Sequence, residues 1–379
     1  MKVAQLQQSI REYAHAIGID KIGFTTAAPF LELKNRLKRQ QELGYQSGFE
    51  ESDVEKRTEP TLLLDQAESI IAIAVAYPSK MDASPKGKKG ERRGIFCRAS
   101  WGMDYHVVLR EKLQLLETFI ATQVPDAKMR SMVDTGELVD RAVAERAGIG
   151  WSAKNCSIIT PEFGSYVYLG EMITNIPFAP DTPMEDECKD CTLCLDACPT
   201  GALIQGGQLN AQRCIAFLTQ SKKPIPEEFR AKIGNRIYGC DTCQTVCPKN
   251  KGKYNLHQEA FAPEPQLTKP LLTPMLKLTN RQFKESFGHM SGSWRGKNPI
   301  QRNAILALAH FKEEASVPLL AELLVSDPRP LIRGTTAWAL GEIATAEAIE
   351  AVQQALQTEE DPGVRIELNN VLESEQRKC

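Results

Sequence analysis

Seven cysteines fall into two short runs, and these runs limit the possible folds more than any other feature of the chain. Cys188, Cys191, Cys194 and Cys198-Pro199 follow the spacing C-x2-C-x2-C-x3-C-P, and Cys240, Cys243 and Cys247-Pro248 repeat the end of it. Three thiolates on one tight loop take three corners of an iron–sulfur cube, while the fourth, further round the turn, reaches a second cube. Cys214 stands in for the missing first member of the second run. By the crossing rule, cluster one takes Cys188, Cys191, Cys194 and Cys247, and cluster two takes Cys198, Cys214, Cys240 and Cys243. Structural zinc also uses C-x2-C pairs, but it needs two separated pairs and has no use for the third-to-fourth spacing or the two Cys-Pro endings. Two [4Fe-4S] clusters are therefore expected, carrying single electrons.

Clustered thiols of this kind belong in a reducing compartment, where disulfides are not expected. The first eight residues carry charge and amide groups and no apolar leader. The longest apolar stretch, Ile70 to Tyr77, is eight residues long, against the ~20 of a spanning helix. The expectation is a cytoplasmic protein with no membrane partner, and a monomer. With 42% hydrophobic and 25% charged residues in a chain of 379, two or more globular domains are expected.

Residues 1–175 read as mixed α/β. Apolar spacing predicts a helix over Val3 to Ala16, a buried strand at Ser69 to Ala76, and a helix within Trp101 to Gln123 with Val107, Leu109, Leu113, Leu116 and Ile120 inward. Between them, Lys80 to Arg93 reads as a basic loop. A strand at Met129 to Val133 runs into Asp134-Thr135-Gly136, a helix follows over Leu138 to Ala147, and strands are expected at Ile158-Ile159 and Tyr166 to Ile173. Residues 176–258 hold the cysteine runs, 259–298 form a Pro-rich basic connector, and 299–379 turn helical. There Ile300, Leu308, Leu320 and Leu324 recur 32 residues later as Ile332, Leu340, Val352 and Leu356, predicting two helix pairs and a partial third, in the manner of short HEAT-like repeats. Such repeats either bind a partner or cap a neighbouring domain.

The net charge of -2 conceals an asymmetry. Residues 214–298 hold fourteen Lys+Arg against six Asp+Glu, and 299–379 hold seven against thirteen. Lysines and arginines around a redox centre suit either a solvated face or the steering of a nucleic acid. Asp134 is a single carboxylate at a strand end, so a two-carboxylate protease is excluded, and a turn-capping and a general-acid reading both stand. Cys97 lies among Arg92, Arg93 and Arg98, which suits a thiol of lowered pKa, but an ordinary semi-buried cysteine reads the same. No phosphate-binding or dinucleotide glycine motif is present. Asp104-Tyr105-His106 begins like the D-x-H-x-x-G of cobalt-ligating proteins but lacks the glycine, so His106 reads as a helix-surface residue.

The stretch Val133-Asp134-Thr135-Gly136-Glu137-Leu138-Val139-Asp140-Arg141-Ala142-Val143-Ala144-Glu145-Arg146-Ala147-Gly148-Ile149-Gly150-Trp151, followed by Lys154-Asn155, closely resembles the epoxyqueuosine reductases. So do the cysteine runs, the segment Gly239-Cys240-Asp241-Thr242-Cys243-Gln244 and the repeat tail, so the resemblance spans essentially the whole chain. It implies a nitroreductase-like α/β cobalamin-binding domain, a bacterial-ferredoxin-like two-cluster domain and HEAT-like repeats. It implies a tRNA-modifying oxidoreductase that removes the epoxide oxygen of epoxyqueuosine at the wobble position as water, the last step of queuosine biosynthesis. Cobalamin held base-off would need no histidine ligand. Asp134 is then the expected proton donor, with a pKa raised by burial, and Arg57, Cys97, Asp134, Lys154, Asn155 and Ser157 the expected cobalamin contacts. Cluster two would lie nearer the cobalt, and cluster one would face an unidentified electron donor. Lys222, Lys223, Arg281, Lys284, Arg295 and Lys297 are the expected tRNA contacts. A small-molecule reductase like the reductive dehalogenases and a ferredoxin-type carrier remain as other classes. The basic middle disfavours the first and the large N-terminal α/β region the second.

Overall fold

The structure, a computed structural model, describes residues 2–377; Cys379, expected to be an inert terminal thiol, lies outside the described residues. The chain divides into two compact units, each assembled from three separate stretches. The first comprises Met1–Lys80, Gly102–Cys214 and Asp241–Ala262, and the second Met81–Trp101, Ile215–Cys240 and Pro263–Cys379.

The first unit is built on an antiparallel sheet of β1 (Lys21–Thr26), β2 (Ser69–Ala76), β3 (Met129–Met132) and β4 (Val167–Thr174), in the order β1-β2-β4-β3. β2, an unbroken run of small and β-branched residues, is buried at every position, as a strand covered on both faces must be. Helix α1 (Val3–Ala16) buries Leu6, Ile10 and Ala14 on one stripe. α2 (Val54–Thr58) is capped by Asp53, α3 (Tyr105–Gln123) by Asp104, and α4 (Asp140–Arg146) precedes Gly148. Val107 does not point inward as expected: it is 56% exposed. The helix starts at Tyr105, and Val107 lies about 200° around it from Leu109, away from the buried stripe of Leu109, Leu113, Leu116 and Ile120.

Alternation along β4 sets up the site. Gly170 lies against Leu113 of α3, whereas Val167, Leu169 and Ile173 join the core formed with Val143 and Ala144 of α4. Successive strand residues face opposite sides, so Glu171 points to the side of α4.

In the second unit, Ile95–Phe96 pairs in parallel with Arg236–Tyr238. After three short helices between Pro265 and Phe287, the described residues from Lys297 onward form five α-helices: α5 (Lys297–His310), α6 (Val317–Ser326), α7 (Pro330–Ile343), α8 (Ala346–Thr358) and α9 (Pro362–Gln376). These are the two helix pairs and partial third that the 32-residue repeat predicts. Ile300, Leu308, Leu320, Leu324, Ile332, Leu340 and Val352 are buried in one core, with Leu356 packed against it. Arg302 of α5 is 0% exposed. Its guanidinium donates to the carbonyls of Leu218 (2.7 Å), Ser221 (2.7 Å) and Lys223 (2.6 Å) and to Asn303 Oδ1 (2.9 Å). It thereby closes the carbonyl end of the short helix Ile215–Gln220. Among the described residues, no helix is long and apolar enough to cross a membrane.

Candidate active site and thiol pocket

The end of β3 and the start of α3 bring Asp134 beside the Asp104-Tyr105-His106 run. Tyr105 Oη donates to Asp134 Oδ2 at 2.8 Å, and His106 Nε2 lies 3.5 Å from the same oxygen. His106 Nδ1 lies 2.8 Å from Asp104 Oδ1, so the imidazole is hydrogen-bonded to Asp104, while its Nε2 makes only an ion-pair approach to Asp134 and no aligned hydrogen bond. His106 is therefore not a free surface residue: its side chain is only 19% exposed. Burial alone would push its imidazolium down, but the hydrogen bonds and charges of Asp104 and Asp134 outweigh that and hold it up at about 9. Asp134 moves the other way from the expectation. Its side chain is 60% exposed, so the burial expected to raise its pKa is not there, and the nearby His106 and the Tyr105 hydrogen bond hold the carboxyl below the usual value against what desolvation remains. At rest, the proton of this pair sits on His106.

Asp134 also carries the backbone of its loop through a left-handed conformation, φ +53°, which L-residues other than glycine, asparagine and aspartate rarely adopt. Its N–H donates to Asp140 Oδ2 at 2.9 Å, Thr135 N–H to Val133 O at 2.5 Å, and Arg110 reaches Thr135 Oγ1 at 3.1 Å. A cleft of about 880 Å³ opens beside the loop, lined among others by Glu50, Glu51, Arg110, Arg130, Asp134 and Glu137. Beneath the loop, burial and then the charge of Asp134 push the Asp140 carboxyl up to about 7. Burial and the neighbouring Asp140 push Glu171 well above the carboxylate range.

The second site is the thiol pocket. Cys188, Cys191, Cys194 and Cys247 line one small cavity with Ala153, Lys154, Asn155 and Leu193. That is the set expected for cluster one, brought together across 59 residues of chain. Trp151, 3% exposed, forms a small buried cluster with Ala153 and Ile159, against which Cys188 and Cys247 pack. Among the described residues, no three Cys, His, Asp or Glu side chains converge as a metal site. A cube, with one iron for each thiolate, asks for no such convergence. Of the second set, Cys198, Cys214 and Cys243 fall in the first unit and Cys240 in the second. Cys198 Sγ accepts the Ala202 N–H at 3.3 Å, and backbone N–H groups hold its thiol below its usual pKa against the opposing effect of burial.

Comparison with known proteins places these sites in context. The family model for epoxyqueuosine reductase QueG matches residues 57–135, a 4Fe-4S double cluster binding domain matches 187–250, and HEAT repeats match 297–373. The chain is 65% identical to epoxyqueuosine reductase of Bacillus anthracis over 98% of both chains. The chain belongs to the epoxyqueuosine reductase family. It is an oxidoreductase with a mixed α/β body, a double-cluster iron–sulfur domain and a HEAT-repeat region. The epoxyqueuosine reductase of Bacillus subtilis is 64% identical over 98% of this chain and 97% of that one. A crystal structure of an epoxyqueuosine reductase with an epoxyqueuosine-modified tRNA-Tyr stem loop superposes with a TM-score of 0.96, at 63% identity over 98% of this chain and 99% of that one. A Bacillus subtilis structure, described with its Asp134 catalytic loop swung out of the active site, superposes equally well at 62% identity, with the same coverage.

Against the expectations for an epoxyqueuosine reductase, the remaining residues are placed as follows. Arg57 on α2 is half-buried, its guanidinium lowered by burial and facing Glu50, Glu51 and Asp140. Lys154 and Asn155 line the thiol pocket; Lys154 Nζ donates to the Lys189 carbonyl. Asn155 Oδ1 accepts the Ser157 N–H at 3.1 Å, while its buried Nδ2 meets no acceptor. In the second unit, Cys97 N–H donates to Tyr238 O at 2.9 Å. Gly239, at φ +70°, leaves room for its sulfur: a Cβ there would stand 2.2 Å from Cys97 Sγ. Lys222, Lys223, Arg281 and Lys284 are exposed, Arg281 being paired with Glu285 at 2.8 Å. Lys297 turns inward, donating to Leu278 O at 3.0 Å. Arg295 lies over the ring of Trp294, which is 51% exposed. Trp294 Nε1 donates to Gln220 Oε1 at 2.8 Å.

Proposed function

We propose that this chain reduces the epoxide of epoxyqueuosine in tRNA to the alkene of queuosine, and that Asp134 delivers the protons. The observation that carries the reading is the Asp104–His106–Asp134 line, with Tyr105 on the same Asp134 oxygen. It lies in a chain alike over nearly its whole length to epoxyqueuosine reductases. Removing an epoxide oxygen breaks both C–O bonds, forms a C=C bond and releases water, which takes two electrons and two protons.

At rest Asp134 is ionised and His106 holds the proton. Entry of substrate excludes water from the pair, which disfavours the two separated charges, and the His106 Nε2 proton moves to Asp134 Oδ2. Asp134 then protonates the departing oxygen, and a second proton by the same line completes water. Tyr105 Oη keeps Oδ2 oriented, and Asp104 fixes the imidazole through Nδ1. The Asp134 loop is a movable element, as the swung-out loop of the Bacillus subtilis relative supports.

The cysteines fit two clusters, four of them already lining one cavity. The buried, unpartnered Nδ2 of Asn155 suits a ligand rich in acceptors such as cobalamin, with Arg57, Lys154 and Ser157 of the same unit as its other contacts. When bound, the clusters would supply electrons singly and cobalamin would supply a strong reductant. Lys222, Lys223, Arg281, Lys284 and Arg295 form the phosphate-facing set, with Trp294 as a stacking plane. The test is anaerobic incubation of reconstituted protein, cobalamin and a reductant with epoxyqueuosine-containing tRNA, the nucleosides being read by mass. Queuosine formation supports the reading. Turnover by Asp134→Ala with clusters and cobalamin intact would overturn the role of Asp134.

A further inference from the structure

The sheet of the first unit carries a carboxyl at its centre. Glu171 sits in β4 between Ala72 of β2 and Met132 of β3, is 1% exposed, and neither of its carboxyl oxygens meets a donor in the structure. An ionised carboxylate so enclosed is strongly disfavoured. The alternation along β4 turns Glu171 toward α4, which packs on β4 and begins at Asp140, so the Glu171 carboxyl lies within reach of the Asp140 charge. Two carboxylates are both acceptors, so the contact needs a proton between them. Asp140 in turn accepts the backbone N–H of Asp134 at 2.9 Å, at the residue whose φ is +53°.

We propose that Glu171 is a positioning residue whose carboxyl proton latches the Asp134 loop in place. Glu171 donates to Asp140, which leaves Asp140 a fixed acceptor for the Asp134 N–H. That bond holds the left-handed turn and keeps the Asp134 carboxyl beside Tyr105 and His106. Loss of the proton leaves two like charges beneath a third, on Asp134, and the loop is released. The charged groups facing the pair are Asp134 from the loop and Arg57 from α2. Of the two carboxyls, Arg57, which also faces Glu50 and Glu51, acts on Asp140 alone, so Glu171 keeps the proton. Two loop positions separated by one hydrogen bond and one charge form the kind of two-state element a single proton can bias.

The inference rests on Asp134 being the acid of the proposed reduction, but its first readout does not. Hydrogen exchange of the segment 130–140 is measured on the full-length reconstituted protein, as the wild type, Glu171→Gln and Glu171→Leu, across pH and corrected for intrinsic exchange. The amide of Glu171→Gln still donates to Asp140, and leucine cannot. Glu171→Leu is expected to lose protection of the Asp134 amide by roughly ten-fold, the worth of one ordinary hydrogen bond, and to lose turnover with it while its KM for tRNA holds. Glu171→Gln is expected to keep both, and to stay protected at high pH where the wild type opens. Protection in Glu171→Leu equal to wild type overturns the latch, as does Glu171→Gln behaving like Glu171→Leu. Should Glu171→Leu not fold, the high-pH comparison of wild type with Glu171→Gln decides, identical pH dependence overturning the latch. If the exchange pattern holds but no form of the protein yields queuosine, the latch stands and the proposed reaction falls.

Discussion

Arg302 and Glu171 are equally enclosed, one in each unit, and the protein treats them in opposite ways. The Arg302 guanidinium meets four carbonyls and a side-chain amide oxygen; burial lowers its pKa to about 10, which still leaves it charged near neutrality. Glu171 meets no donor and keeps its proton instead. A buried ion with every donor engaged is a permanent tie between segments, since nothing in the physiological range can switch it. A buried acid with one acidic neighbour is conditional. The second unit therefore spends its buried charge on architecture, and the first keeps its own adjustable next to the reactive loop.

The sharpest way to break that contrast is Arg302→Ala. It leaves the carbonyls of 218–223 without their donor and opens a cavity, so a loss on the order of 3 kcal/mol or more is expected from urea unfolding. A loss below about 1 kcal/mol, within the range of ordinary surface changes, would mean that water replaces the guanidinium. Asp134→Asn keeps a side chain that tolerates a positive φ but removes the acid. Single-turnover rates should fall by about 10²–10⁴-fold with the fold unchanged, and an unaltered rate would remove Asp134 from proton delivery.

His106 tests the adjustable side through pH. Its pKa is raised from 6.5 to about 9, so the stabilisation from Asp104 and Asp134 is complete below about 6.5 and is lost as pH rises through about 9. The melting-temperature gap between wild type and His106→Gln should close over that window; a gap independent of pH would mean that the carboxylates do not hold the imidazolium. The smallest effects are expected on the basic face. Lys222→Ala should lower the salt dependence of tRNA affinity by about one unit of slope. Lys297→Ala, whose amine is committed to Leu278 O, should show up in stability rather than in that slope.

Much of this was legible before folding. The cluster-one cysteines declare themselves by spacing, and the repeat declares its helices by a fixed period, because both signals are local or strictly repeated. Val107 misled because the helix begins at Tyr105 and the stripe from Leu109 onward sets its phase. His106 looked like surface because its two carboxylates are of different kinds. Asp104 is its near neighbour, whereas Asp134 arrives only when β3 ends beside α3. Asp134 stood out as a candidate acid at its strand end and the resemblance chose between its two readings, but the lowering of its pKa depends on that same meeting. Glu171 left no trace at all: a glutamate in an alternating strand reads as solvent-facing, and only the cover of α4 shows that it is not.

The interleaving of the two units bears on how the chain is made. Met81–Trp101 leaves the ribosome long before Ile215–Cys240 and Pro263–Cys379, the stretches it packs with. At ordinary synthesis rates that delay is roughly ten seconds to a minute. The waiting segment is the Lys-, Gly- and Pro-rich loop, whose Lys89 and Arg92 end paired with Glu314 and Glu313. Its composition lets it stay hydrated meanwhile, and its last partners are supplied by the first helix pair of the tail. A stop codon before Arg236 would leave the strand Ile95–Phe96 without its partner, and one before the repeats would leave Lys89 and Arg92 without Glu314 and Glu313, rather than trim off a detachable module.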